Sequence, residues 1–195
     1  MPSQEGPLLG LFRRRWLRLV ALFFVLGSIA IGVLVACSTT TTERLGLPPL
    51  TTVERVELER YLGTWYEIGS YPQRFQKGCE KTTATYSLKE NGDIKVVNRC
   101  WRNGAWDEAV GNAVIENSES NAELSVSFFW PFYGDYWVIS LDRDYQWAVV
   151  GHPSRDYLWI LSRTPEMPNA TLDMVLKEIE QKHKYPLEPL KFTRQ

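Results

Sequence analysis

From residue 53 to residue 195, side-chain polarity alternates with a period of two over most of the length. That rhythm places successive side chains on opposite faces of an extended chain and so commits the segment to β-structure. In residues 83–88, Ala84, Tyr86 and Leu88 fall on one face and Thr83, Thr85 and Ser87 on the other. In residues 124–130, Leu124, Val126, Phe128 and Trp130 oppose Ser125 and Ser127. Runs at 63–70, 83–88, 94–101, 109–115, 123–129, 135–141, 146–151 and 157–162 make eight short strands, separated by Gly, Asn, Asp and Pro. This even spacing is that of an all-β barrel or sandwich. Asn91-Gly92 predicts a two-residue type I′ hairpin turn, because such a turn needs two positions with positive φ.

The late strands are apolar on both faces. Trp137, Ile139 and Leu141 oppose Tyr136 and Val138, while Tyr157, Trp159 and Leu161 oppose Leu158 and Ile160. Strands of this kind need cover on both sides. Residues 169–184 supply it, with Leu172, Val175, Leu176 and Ile179 at helical spacing. Asn169 is the expected N-cap after Pro168, and Tyr185-Pro186 the expected stop. One amphipathic helix outside a closed sheet, then a tail strand at 190–193, completes the expectation.

The N-terminus sets the compartment. Arg13, Arg14, Arg15 and Arg18 precede an uncharged apolar run at 19–36, the layout of an export signal. Leu34-Val35-Ala36-Cys37 resembles the lipobox of bacterial lipoproteins. The resemblance implies cleavage before Cys37 and acylation of that residue with palmitate-type chains; two or more chains hold a protein stably at a membrane. Ser38, where an Asp would retain the chain at the inner membrane, implies the periplasmic face of the outer membrane. An uncleaved signal anchor with an incidental Cys is the alternative. The expected organisation is therefore a signal peptide at 1–36, a lipidated Cys and flexible polar tether at 37–52, and one domain at 53–195. Removal of the +3 signal from a chain of net charge −1 leaves −4, and no Lys/Arg run remains to support nucleic-acid binding.

Three stretches carry a family resemblance. Gly63-Thr64-Trp65-Tyr66-Glu67 resembles the Gly-x-Trp signature of lipocalins. Asp144-Tyr145 stands where the family's second motif lies, without its Thr, and Leu161-Ser162-Arg163-Thr164-Pro165 resembles the third. The chain is similar above all to the bacterial outer-membrane lipocalins and the apolipoprotein D group. The resemblance implies an eight-stranded antiparallel up-and-down β-barrel with one C-terminal helix outside, binding a small hydrophobic ligand such as a fatty acid or lysophospholipid. It gives Gly63, Trp65 and Arg163 structural roles at the barrel floor, with the guanidinium stacked on the indole. It places Tyr86 and Trp159 at the ligand cavity; Phe128, Tyr136 and Trp147 join them by face assignment alone.

Cys79 and Cys100 are four residues out of register across the expected hairpin. A bulge or a bend before Thr82 would bring them within bridging distance, and an oxidising periplasm would then join them. Two unpaired thiols are the alternative. His152 and His183 have no Cys or paired carboxylate at metal-ligand spacing, and no nucleophile elbow or phosphate loop is present. The sequence therefore predicts no enzyme, metal or cofactor. A lipocalin-type enzyme using a cavity thiol, and an envelope lipoprotein with a filled barrel, stand as the other readings. A homodimer is left open.

Overall fold

The structure, a computed structural model, describes residues 46–195. The predicted signal, the predicted lipidation site Cys37 and most of the predicted tether lie outside the described residues.

A short helix α1 (Leu58–Tyr61) leads into β1 (Gly63–Ser70), then a 3-10 turn (Arg74–Gln76), β2 (Glu80–Leu88), β3 (Ile94–Arg102), β4 (Ala105–Ile115), β5 (Glu123–Phe129), β6 (Phe132–Leu141), β7 (Trp147–Gly151), β8 (Leu158–Ser162), helix α2 (Asn169–Gln181) and β9 (Lys191–Phe192). Each strand from β2 to β8 pairs antiparallel with the next. β1 closes the ring, pairing β2 through Gly63, Thr64, Trp65 and Tyr66 and β8 from Tyr66 onward. β9 adds to β1 at Gly69 and Ser70, beyond the end of its pairing with β2. Closure leaves no long free strand edge on the barrel.

The turn chemistry differs from the expectation at two places. Asn91-Gly92 does not form a two-residue turn. Leu88 pairs with Ile94, the Gly92 N–H bonds the Lys89 carbonyl at 3.0 Å, and only Gly92 takes a positive φ, of 87°. The Asn91 side-chain oxygen accepts the Asp93 N–H instead, which fits a longer loop ending in a left-handed glycine. The two-residue turn is Asn103-Gly104, with φ of 52° and 81° between paired Arg102 and Ala105. β3 and β4 therefore both run on to it, past the expected ends at 101 and 109.

Two apolar clusters account for the strands with two apolar faces. One is interior and includes Trp65, Tyr86, Val96, Leu124, Val138, Val150 and Leu161. The other lies outside, where Ile139, Val149, Leu158 and Ile160 meet Val175 and Ile179 of α2 and Tyr185. Leu141 departs from simple parity. A bulge between Val138 and Ser140 turns Ser140 outward and carries Leu141 to the interior, away from the face of Trp137 and Ile139. The helix begins at Asn169 with Pro168 in the cap position, so Asn169 is not the cap; the Pro168 carbonyl accepts the Leu172 N–H. It stops at Gln181, three residues short of the expected end, and Lys184 follows in a left-handed conformation, φ 59°.

The folded unit also starts earlier than residue 53. The Pro48 carbonyl accepts Arg155 Nη2 at 2.8 Å and Leu50 is buried in the outer cluster. This part of the predicted tether is docked, because an apolar side chain there finds the outer cluster beneath it. Cys79 and Cys100 form a disulfide with Cα atoms 5.3 Å apart. The register shift between Glu80 and Thr83, with Lys81 at φ 51°, supplies the bend that the pairing needed.

Candidate functional site

The barrel interior has a packed lower half and a hollow upper half. Strand β1 enters at the floor through Gly63, whose φ of 89° disfavours any side chain and which lies close to the Arg163 guanidinium. Two residues on, Trp65 is 0% exposed. Its indole N–H donates to the Tyr61 carbonyl at 2.8 Å, and the Arg163 guanidinium carbon stands 3.7 Å from its ring centroid. Arg163 also donates to the carbonyls of Thr64, Arg60 and Tyr145. Tyr145, from the second motif, accepts the Glu57 N–H on its hydroxyl and carries Arg60 over its ring. Thus all three motifs meet at one end, around α1, as a hydrogen-bonded plug.

Above the plug lies a layer of three tyrosines. Tyr136 on β6 bonds Tyr61 at 2.8 Å and Tyr86 on β2 at 2.9 Å, hydroxyl to hydroxyl. Burial pushes the Tyr86 phenol up to about 12 and those of Tyr61 and Tyr136 well above their ordinary value. The layer is therefore neutral at physiological pH and satisfies its own hydroxyls.

The upper half is a cavity of about 400 Å³, open at the far end. Four of the five predicted ligand residues line it: Tyr86, Phe128, Tyr136 and Trp159. Small inward residues, Ala84, Val96, Val126 and Gly134, leave the space that those rings border. Phe128 is seated by a close approach, since a Cβ on Gly111 of the neighbouring strand would lie 2.9 Å from its ring. Trp147, the fifth, is a correction: it packs in the outer cluster with the helix. Strand β7 is apolar on both faces, so alternation carried no inside–outside contrast there, and the small Ala148 faces the interior instead.

The wall also holds residues that the sequence reading did not single out. Glu67 lies on β1 two residues after Trp65, so the period of two already placed it on the inner face. Its carboxylate accepts Gln76 Nε2 at 2.8 Å and the hydroxyls of Ser70 and Thr193. Gln76 in turn accepts the Trp159 indole N–H at 3.4 Å. Phe75 and Gln76 come from a 3-10 turn in the β1–β2 connection, where no periodicity exists to reveal them. At the rim His152 Nε2 stands 3.5 Å from Asp135, and Nδ1 accepts both the hydroxyl (2.8 Å) and the backbone N–H (3.1 Å) of Ser154. Burial lowers the His152 pKa. This string lies within the tight connection from β7 to β8, where the Arg155 N–H also bonds the His152 carbonyl; its ring nitrogen is committed to holding that turn.

The cavity thiol required by the enzymatic alternative is absent from the hairpin, since Cys79 and Cys100 are bridged. The filled-barrel alternative is overturned by the open cavity. Among the described residues no group of three His, Cys, Asp or Glu stands in a metal-holding arrangement.

Comparison with known proteins agrees with this geometry. The model of the Lipocalin-like domain family matches residues 56–195. The outer membrane lipoprotein Blc of Escherichia coli K12 is 48% identical over 143 residues, covering 72% of this chain and 78% of the relative. Temperature-induced lipocalin-1 of Arabidopsis thaliana is 45% identical over 139 residues, 66% and 75% of the two chains. Bovine (Bos taurus) apolipoprotein D is 36% identical over 152 residues, 73% and 78%. Among solved structures, insecticyanin of Manduca sexta superposes with a TM-score of 0.63 at 19% identity, covering 76% of this chain and 85% of that one, a likeness of fold.

Proposed function

This chain belongs to the lipocalin family, and from that premise we propose that it holds one single-chain lipid, a fatty acid or lysophospholipid, at the outer membrane, to which acylated Cys37 anchors it on the periplasmic face. Lipocalins bind small hydrophobic ligands, and the observation that carries the reading here is the open, aromatic-walled cavity of about 400 Å³. That volume falls within the range of about 300–1,000 Å³ typical of ligand pockets. Its walls are mostly apolar with a few fixed polar groups, which suits a chain-like molecule with one polar end. The anchor rests on Leu34-Val35-Ala36-Cys37 and on relatives that bear the name outer membrane lipoprotein.

Native mass spectrometry of the purified protein tests the ligand. The expected spectrum shows one adduct of single-chain-lipid mass that is released on collisional activation. A spectrum without such an adduct, together with no uptake of a fluorescent fatty acid, would falsify the carrier reading. Labelled palmitate incorporation tests the anchor; it is expected in the wild type and lost in Cys37→Ser.

A further inference from the structure

The tip of the β5–β6 hairpin carries side chains of a kind normally found inside proteins. Phe129, Trp130 and Phe132 are 79%, 83% and 77% exposed, and Tyr133 is about half exposed. Phe75, on the neighbouring β1–β2 connection, is also exposed. Single exposed aromatics need no explanation, but a contiguous aromatic tip marks an interaction surface. Phe75 and Tyr133 line the cavity as well, so the tip and the cavity entrance are one feature.

Three observations choose a lipid leaflet as its partner. The first is where the chain enters the fold. Pro48 is bonded to Arg155, in the connection between β7 and β8, which lies at the open end. Onward, Val56 bonds Ser120 in the β4–β5 connection at the opposite end. Cys37 stands eleven residues before Pro48, so at most about 40 Å of chain separates the two. The floor lies roughly a further 25 Å away, the height of an eight-residue strand. Along the chain, the open end is therefore the nearer of the two to Cys37.

The second is chemistry. Trp, Tyr and Phe favour the boundary between head groups and acyl chains. Beside Phe75 stand exposed Arg74 and Lys77, cations that suit lipid phosphates. The third is shape. A stable protein interface takes about 20–30 residues a side; a five-residue projecting tip with one flanking Phe falls well short, whereas a leaflet accepts a small convex insertion.

We propose that Phe129, Trp130 and Phe132, with Phe75, insert into the leaflet that anchors the chain and seat the cavity mouth on the lipid surface. A single-chain lipid then passes between leaflet and cavity without crossing bulk water. The direction of the mouth rests on the anchor reading; the insertion itself is measured separately.

The test uses the full chain processed in cells and reconstituted into phosphatidylethanolamine–phosphatidylglycerol vesicles that contain phosphatidylcholine brominated near the top of its acyl chains. Trp130 is one of the seven tryptophans that follow Cys37, so the readout is the difference in quenching between the wild type and Trp130→Phe. Bromine is expected to quench the wild type, with most of the quenched signal lost in Trp130→Phe. The double variant Phe129→Ser/Phe132→Ser is expected to keep its circular dichroism and lose quenching several-fold. Quenching that is the same with and without Trp130 overturns the insertion. So does a Trp130 shielded from bromine while the protein crosslinks as a dimer, which would assign the tip to a second copy. The mass of the mature chain reports acylation in the same sample. A chain without acyl groups that still shows Trp130 quenching upholds the insertion and removes the anchor.

Discussion

The two ends of one barrel solve opposite problems with the same strands. At the floor, Trp65 is fully enclosed, Arg163 spends its donors on three backbone carbonyls, and three tyrosine hydroxyls satisfy one another. At the mouth, inward positions hold Ala84, Val96, Val126 and Gly134, and the aromatic rings stand around a void or project beyond the rim. Both halves follow the same alternation of inward and outward residues. Side-chain volume and polar satisfaction decide which half is solid. The contrast teaches that the family motifs here belong to stability, since all three converge on the floor, while the cavity is left open by small residues higher on the same strands.

The largest expected effect lies at the floor. Trp65→Ala should cost about 3–5 kcal/mol in denaturant-induced unfolding, the range for a buried aromatic truncation that leaves a cavity. A loss no larger than that of an exposed substitution would mean that the floor is not the packed half.

The next effect comes from outside the barrel and serves as a control on both halves. His183 is buried beneath α2, with Nε2 2.8 Å from the Ser140 hydroxyl, and burial pulls its pKa down to about 4. It is neutral in the fold, whereas the unfolded chain takes up a proton near the ordinary histidine value. Its contribution is therefore present above about pH 6.5 and lost as pH falls toward 4, by up to about 3 kcal/mol. Thermal unfolding between pH 7 and 4 should show this drop, and His183→Gln should flatten it. An unchanged slope in that variant would assign the acid sensitivity elsewhere.

At the mouth the sign of the contrast reverses. Trp159→Ala should weaken ligand affinity by roughly 1–3 kcal/mol, as for removal of an aromatic anchor, while unfolding changes far less than in Trp65→Ala. Fluorescent fatty-acid titration checks the first and denaturant unfolding the second; unchanged affinity in a folded protein removes Trp159 from the site. The smallest effect is expected at the tip. Phe132→Ser should alter stability by no more than about 0.5 kcal/mol, because its ring is exposed. A larger loss would show that the tip is part of the core.

Much of this was legible in the residues. The strand at 123–129 and the start of the helix at Asn169 fall where periodicity put them. Four of the five residues expected at the cavity, reached through similarity and face parity, do line it, and Glu67 was within reach by counting two from Trp65. The misreadings share a cause. Trp147 lies in a strand covered on both faces, so its pattern had no contrast. Leu141 lies beyond a bulge, and one extra residue exchanges inside for outside. Leu50 looked like tether because its neighbours are Pro and Thr, and only the outer cluster it meets shows otherwise.

The sequence by itself determined that this chain is β-rich, carries one amphipathic helix and bears the lipocalin motifs, because alternation, helical spacing and motifs are local properties of the chain. The tertiary structure decided that the upper interior is hollow, that Cys79 meets Cys100, and that the chain enters beside an exposed aromatic rim. Each of these depends on registers and volumes contributed by strands far apart in sequence, and no local pattern encodes their sum.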